Sequence, residues 1–486
     1  MTYKHGVFGS EVPTSIVPMT NVSAGLPVVF GTAPVHLASD FAGANKPVLC
    51  HTYNEAVAAL GYSDDWGSYT LCEFMKSHFA LFNMAPVVFV NVLDPGKTAH
   101  KEAVTDSDVT LTEGVGVIAE AVYLPTLVVK KTSAGQALVK GTDYTAEYDE
   151  AGKLVITALA GGQLVSASSC VASFDKLKPS GVDDDDIIGG VDISTGDSTG
   201  LELVHEIYPR FGLVPGIILA PGWSHLPEVA AVMKAKCENI SGHFEAICIC
   251  DLDTDTVTKY SDVKAWKDGN NYVAARQVLC WPKVKLGDAQ YHMSTQLAGV
   301  ICKTDAAHED VPYWSPSNQS LQCDGVFAGA AGSEKEIFLN SENAQYLNGE
   351  GIVTALNFIG GWKAWGNRTT IYPSVTDPKD AFICIRRMFN WLNNTLITSF
   401  WQKIDNPANK RLIATIVDSA NIWLNGLTSR GMLLGGRVEF REDENPVTDL
   451  MDGIIRFHVY FTPPAPARDI EFIQEYDPAY MATLFE

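Results

Sequence analysis

Two continuous apolar runs, LPVVFGT at 26 to 32 and APVVFVNVLD at 85 to 94, frame the first hundred residues. Runs of this length without alternation predict strands buried on both faces. Between them the spacing turns helical: Thr52 and Glu55 form a capping-box pair, and Leu71, Phe74, Met75, Phe79 and Phe82 fall on one helical face. A strand, helix, helix, strand unit is predicted. From about Val104 to Pro179 the pattern changes to short Val-, Thr- and Ala-rich stretches separated by the turn signals SAGQ, KGTD and DEAGK. This predicts an inserted all-β domain, a small sandwich or barrel. An acidic, Gly-rich connection follows from Ser180 to Gly200. Alternation then resumes, with PGIILAPG, FEAICICDLD and ARQVLCWPKVKL as strands and PEVAAVMKAKCENI, SDVKAWKDGNN and YHMSTQLAGVICKTDAA as helices. A mostly parallel sheet covered on both faces is expected.

The last unit begins near Asn348. One helix places Phe382, Ile385, Phe389, Leu392, Leu396 and Phe400 on a stripe, and a second places Ile413, Ile416, Val417, Ala420, Leu424 and Leu427 on another, with Gly431 as its stop. DGIIRFHVYF alternates Ile455, Phe457, Val459 and Phe461 against Arg456, His458 and Tyr460, the pattern of a half-buried strand. A stiff TPPAP spacer and the strand-like RDIEFIQEY follow. The predicted class is α/β (α+β) multidomain, with mixed sheets flanked by helices. Its divisions are an N-terminal arm (1–20), the first part of an α/β domain (21–103), the all-β insertion (104–179), the α/β domain continued (180–347), a C-terminal core domain (348–465) and a C-terminal arm (466–486).

Charge narrows the partners. Among 486 residues, 57 are acidic and 35 basic, for a formal net charge of −22. That balance argues against nucleic acid, whose recognition needs clustered cations. No apolar run approaches the roughly 18 residues of a membrane span, and MTYKHGVFGSEVP has no signal-peptide core, so a protein that stays where it is made is expected. Ten cysteines without a CxxC pair predict buried thiols rather than disulfides or a zinc site, and Cys248 and Cys250 on one strand predict core packing.

Catalytic candidates are weak. Ser224 beside His225 lies where a nucleophile elbow would, but Leu226 stands where the elbow needs glycine, so an ordinary loop with Ser224 as a cap is favoured. Asp251, Asp253 and Asp255 have calcium-loop spacing, yet Thr256 replaces the required glycine and Asp262 the usual glutamate. The run Asp183 to Asp186 fits a solvated loop. GGWKAWGNRTT at 360 to 370 has neither P-loop nor dinucleotide-loop spacing. Its plain reading is structural, with glycines for a tight turn, Trp362 and Trp365 capping a core, and Arg368 tying the turn to carbonyls or a carboxylate.

That same stretch resembles the Gly, Trp-Gly, Arg-Thr signature of contractile tail sheath proteins, found in contractile-tailed bacteriophages, R-type bacteriocins and related injection systems. ICIRRMFNWL is similar to the family's paired-Arg helix, IDNPANKRL to its acidic-Asn-Pro turn, GMLLGGRVEF to its Gly-rich turn into a strand, TPPAPARDIEF to its closing segment, and HGVFGSEVPTS to its start. The order of these motifs carries the resemblance, about 150 residues firmly. It implies a structural subunit, not an enzyme, with no cofactor or metal. Its partners would be copies of itself in stacked hexameric rings, a tail tube protein, and baseplate and tail terminator proteins, with no nucleic acid and no membrane insertion. Its place would be a virion tail or phage-tail-like particle assembled in the bacterial cytoplasm. The arms, through Tyr3, His5, Val7 and Phe8 at one end and Ile470, Phe472 and Ile473 at the other, would add strands to neighbouring subunits. Gly361, Trp362, Trp365, Gly366, Arg368 and Thr369 would form a rigid corner, and Arg386 and Arg387 could meet an acidic tube, with surface solvation or an internal ion pair as the equal alternatives. The rivals are a metal-dependent α/β enzyme using His225, Asp251 and Asp253, and a different self-assembling filament.

Overall fold

A computed structural model describes residues 18–20, 22–149 and 151–484. Its centre is an eight-stranded sheet of order β2-β3-β1-β12-β13-β14-β19-β20. Here β1 is Pro27–Gly31, β2 Val48–Cys50, β3 Val87–Asn91, β12 Ile217–Leu219, β13 Ile247–Asp251, β14 Gln277–Cys280, β19 Ile352–Asn357 and β20 Trp362–Trp365. The six inner strands run parallel, and an antiparallel strand closes each edge. Helices cover both faces, so the inner strands are mostly apolar; β1, β3 and β13 are buried at every position, Asn91 and Asp251 included. Burying each large apolar side chain contributes roughly 1.5–3 kcal/mol.

The helix expected over 70–82 starts as predicted and then widens: an α-helix, Thr70–Met75, passes into a π-helix, Lys76–Leu81. All five residues of its predicted face are buried. At Thr52 the hydroxyl accepts from Glu55 N, but the Glu55 carboxylate reaches back to His51 N rather than to Thr52 N. The strand expected across ARQVLCWPKVKL is two. Residues 283–286 leave the main sheet as β15 (Lys283–Leu286) and join a four-stranded antiparallel sheet with β16 (Ala289–Tyr291), β17 (Gly325–Ala328) and β18 (Lys335–Glu336).

Residues 101–177 form two three-stranded sheets, β4-β9-β6 and β5-β8-β7. They comprise β4 (Lys101–Thr110), β5 (Val115–Ile118), β6 (Val128–Lys130), β7 (Tyr144–Tyr148), β8 (Leu154–Ala158) and β9 (Ser169–Leu177). Their core, around Val129, Leu154, Ile156 and Phe174, is separate from that of the main sheet. The acidic connection includes a small hairpin of β10 (Gly190–Val191) and β11 (Ser198–Thr199).

No break in the sheet falls at 348, because β19 and β20 complete the main sheet by pairing with β14 and with each other. The separate C-terminal core is built from three pieces: helix Ile383–Phe400, helix Lys410–Ser429, and a two-stranded sheet of β21 (Gly435–Glu439) and β22 (His458–Thr462). Met388, Trp391, Leu392, Ala420, Leu424 and Leu427 close its centre, and Ala24 from the start of the chain is buried with them.

Candidate assembly surfaces

The Gly-Trp stretch is the last edge of the main sheet and its exit. Gly360 and Gly361, with φ of 79° and 86°, make the turn from β19 into β20. Trp362 packs its half-buried ring on the main core, and Ala364 is fully buried. The outer edge of β20 is not open: the 318–321 segment pairs with it through Asn318 N to Ala364 O, Ala364 N to Gln319 O and Leu321 N to Trp362 O. Beyond Trp365 the chain passes so close to β19 that a Cβ on Gly366, at φ +139°, would lie 2.9 Å from Ile352 O. Thr369, fully buried, donates to Asp380 O at 2.5 Å, and Thr370 Oγ1 accepts from Ala274 N at 2.9 Å. The corner thus joins the main sheet to the approach of helix 383–400.

Arg368 behaves differently from expectation. Its guanidinium lies between two rings, 3.6 Å from the Phe382 centroid and 4.4 Å from that of Tyr372, in place of carbonyls or a carboxylate. Stacking of this kind contributes about 0.5–2 kcal/mol, more as water is excluded.

Of the readings open for the paired arginines, the internal ion pair is the one found, and the tube contact is not supported because both side chains are buried. Arg387 is 3% exposed and pairs with Asp305, also 3% exposed, through contacts of 2.9 and 2.5 Å, and donates to Ala24 O at 3.1 Å. Burial opposes its charge, but Asp305 outweighs burial and holds the guanidinium above its ordinary value. Arg386 meets Asp380 at 3.1 Å, Asn390 at 3.0 Å and Glu245 at 3.6 Å, and burial lowers it. On the same side of the helix Asn390 donates to Ala246 O, Asn394 to Glu245 O, and Trp391 Nε1 to Val22 O. This polar seam fastens the C-terminal core to the main domain and to Val22 and Ala24. Sequence reasoning missed it. The available signal was Arg387, Asn390 and Asn394 at helical spacing opposite the apolar stripe, a pattern that needs buried partners.

The residues of the enzyme rival have structural partners. Ser224 caps a strand end, not a helix: its hydroxyl accepts from Asp251 N at 3.0 Å. The buried Asp251 carboxylate accepts from Ser294 N at 2.9 Å and from the Ser294 hydroxyl, capping helix Met293–Ala306. Burial raises Asp251 and lowers the nearby His225. Asp253 accepts from Asp255 N and the Thr256 hydroxyl, and Asp255 meets Lys283 at 3.3 Å. Among the described residues no three His, Cys, Asp or Glu side chains converge as a metal site. Asp183 to Asp186 is not a solvated loop, since Asp183 and Asp186 form the capping box of helix Asp184–Ile188 and Asp186 contacts Lys97 and His100.

The outward features lie in the C-terminal core. Neither β21 nor β22 has another ladder neighbour among the described residues. Leu434, Gly435, Gly436, Arg437, Tyr460, Phe461 and Thr462 line a shallow groove of about 420 Å³ along them. Past the spacer, residues 463–477 form no strand, and Ile470, Phe472 and Ile473 are 71%, 85% and 88% exposed. The expected contact residues of the first arm, Tyr3, His5, Val7 and Phe8, lie outside the described residues.

Charged pairs fasten seams and carboxylates cap helices, while β21-β22 has no third strand among the described residues and Asn421 pairs with Val438 N and O on the outer side of β21. No protein-family model matches the chain. Over 99% of its length it is 27% identical to the tail sheath protein of Burkholderia phage BcepMu, covering 98% of that protein. It is 26% identical to a putative prophage major tail sheath protein of Pseudomonas aeruginosa, over 59% of this chain and 71% of that one. Two solved structures share its fold at 12–13% identity. One is the sheath complex of an extracellular contractile injection system, PVC, in its contracted state, with a TM-score of 0.58 and 99% of each chain covered. The other is the contracted helical sheath of the anti-feeding prophage, with a TM-score of 0.55 over 98% of this chain and all of that one. The full-length likeness to these relatives supports a contractile tail sheath protein, a component of a phage tail or phage-tail-like particle.

Proposed function

We propose that the subunit polymerises as stacked hexameric rings around a tail tube, and that contraction of this sheath drives the tube through a cell envelope. The observation that carries the proposal is a complementary pair in one chain: a two-stranded sheet, β21-β22, without a third strand among the described residues, and a tethered segment of strand-like sequence with its apolar side chains in water. A lone tethered strand cannot pair its backbone groups, and an unmatched sheet edge leaves its own unpaired. Addition of one chain's strand to the next chain's sheet resolves both. The N-terminal arm, through Tyr3, His5, Val7 and Phe8, is assigned the same role. Because arm and sheet are different surfaces, the contact is heterologous and builds an open helical assembly.

In this reading the arms act as hinges while the domains move as rigid bodies. The extended lattice is metastable, and contraction releases its conformational energy without nucleotide. The tail tube, baseplate and tail terminator are the remaining partners, with assembly in the bacterial cytoplasm. Electron microscopy of the concentrated full-length chain, with and without purified tube protein, tests the proposal beside a chain lacking residues 1–12. Ridged tubes from the intact chain and dispersed particles from the truncated one are expected. Dispersed particles from the intact chain even with tube protein refute it.

A further inference from the structure

We infer that the guanidinium of Arg368 is a docking point for carboxylates on residues 469–477 of a second copy of this chain, an inference that rests on the sheath reading. The guanidinium carbon of Arg368 lies over two rings, those of Phe382 and Tyr372. Among the described residues no hydrogen bond or ion pair engages its N–H donors. Eight other arginines are paired with carboxylates. In a chain of net charge −22, a half-buried arginine without an acid is the exception. Burial lowers this guanidinium, and the nearby charge of Arg468 adds to the effect, so an arriving anion would relieve both.

The chemistry of the occupant comes from the C-terminal segment. Asp469, Glu471, Glu475 and Asp477 form no ion pair among the described residues, with Arg368 of their own chain or with any other cation. In an extended strand, period two puts these four acids on one face, around Ile473, and Ile470, Phe472 and Tyr476 on the other. Such a ribbon is complementary to a surface that offers both apolar cover and a fixed cation. A planar guanidinium already held between rings binds a carboxylate with little further ordering, which favours arginine over lysine here.

The test uses the full-length chain and a fluorescent peptide spanning residues 466–484, followed by anisotropy at low salt. Saturable binding is expected, weakened about tenfold by Arg368→Glu and weakened further by added salt. A peptide carrying Asp469→Asn, Glu471→Gln, Glu475→Gln and Asp477→Asn should lose about as much on the unaltered chain, and lose nothing more on Arg368→Glu. Because the peptide variants leave the folded chain untouched, misfolding of Arg368→Glu cannot imitate this result. A peptide with its four acids changed to lysine should regain affinity for Arg368→Glu. Equal binding of native and neutralised peptides, or no binding at all, overturns the inference. Tubes that form normally while the peptide ignores Arg368 would overturn it and leave the sheath reading standing, whereas a chain that forms no tubes with tube protein would fail the sheath reading itself.

Discussion

Replacing Asp305 with alanine isolates the seam between the two cores. Asp305 and Arg387 are each 3% exposed, and the substitution leaves Arg387 with one neutral acceptor, Ala24 O. At the 2.9 Å contact and an effective dielectric near 20, the lost attraction is about 6 kcal/mol before relaxation. Removing one partner of a buried pair typically costs about 3–5 kcal/mol, and that range is expected here. The assay is urea unfolding followed by tryptophan fluorescence, because Trp391 lies on the same seam and donates to Val22 O. The double variant Asp305→Leu with Arg387→Met removes both charges and should recover most of the loss, to within about 1–2 kcal/mol of the starting chain. A cost for Asp305→Ala below about 1 kcal/mol would mean that water reaches the pair, and the account of a dry seam would be wrong. Equal losses in single and double variants would refute it too, because packing rather than stranded charge would then be responsible.

Gly366→Ala should destabilise by at least about 1–3 kcal/mol in thermal melts, because the backbone is left-handed and Ile352 O stands where the methyl would go; an unchanged melting temperature would contradict the close approach. Leu424→Ala, at the centre of the C-terminal core, should cost about 2–5 kcal/mol by urea unfolding and leave the 101–177 sheets intact by hydrogen exchange. Burial pushes His36 down to about 4 and His78 to about 3, from 6.5. The unfolded chain therefore takes up protons that the folded chain refuses, and the stabilisation present above pH 6.5 is lost as pH falls toward 4, by up to about 1.4 kcal/mol per pH unit for each histidine. Denaturation across that window should show the slope, and His78→Phe, which keeps the stack on Phe74, should flatten it.

Much of the parallel sheet was legible because strands buried on both faces leave an unambiguous mark, as VVF in β1 and ICIC in β13 show. Where the chain turns out of one sheet into another, at residues 281–283, the apolar pattern does not change, so one strand was expected where two exist. The π-helical step after Met75 leaves the same side chains inward and is invisible to a helical count. The sequence leaves the paired arginines undecided between tube, solvent and internal pair, because the partner of Arg387 lies 82 residues away.

The sequence by itself determined the α/β alternation, the β-rich stretch, the amphipathic helices and the family likeness, because periodicity and motif order are local properties that each segment carries wherever it lies. Only the tertiary structure decided which charges are internal, which carboxylates cap helices, and that Arg368 meets two rings and no acid. Those outcomes depend on what distant segments place beside a side chain: burial makes a charge find a partner, and the identity of that partner is a property of the packed molecule.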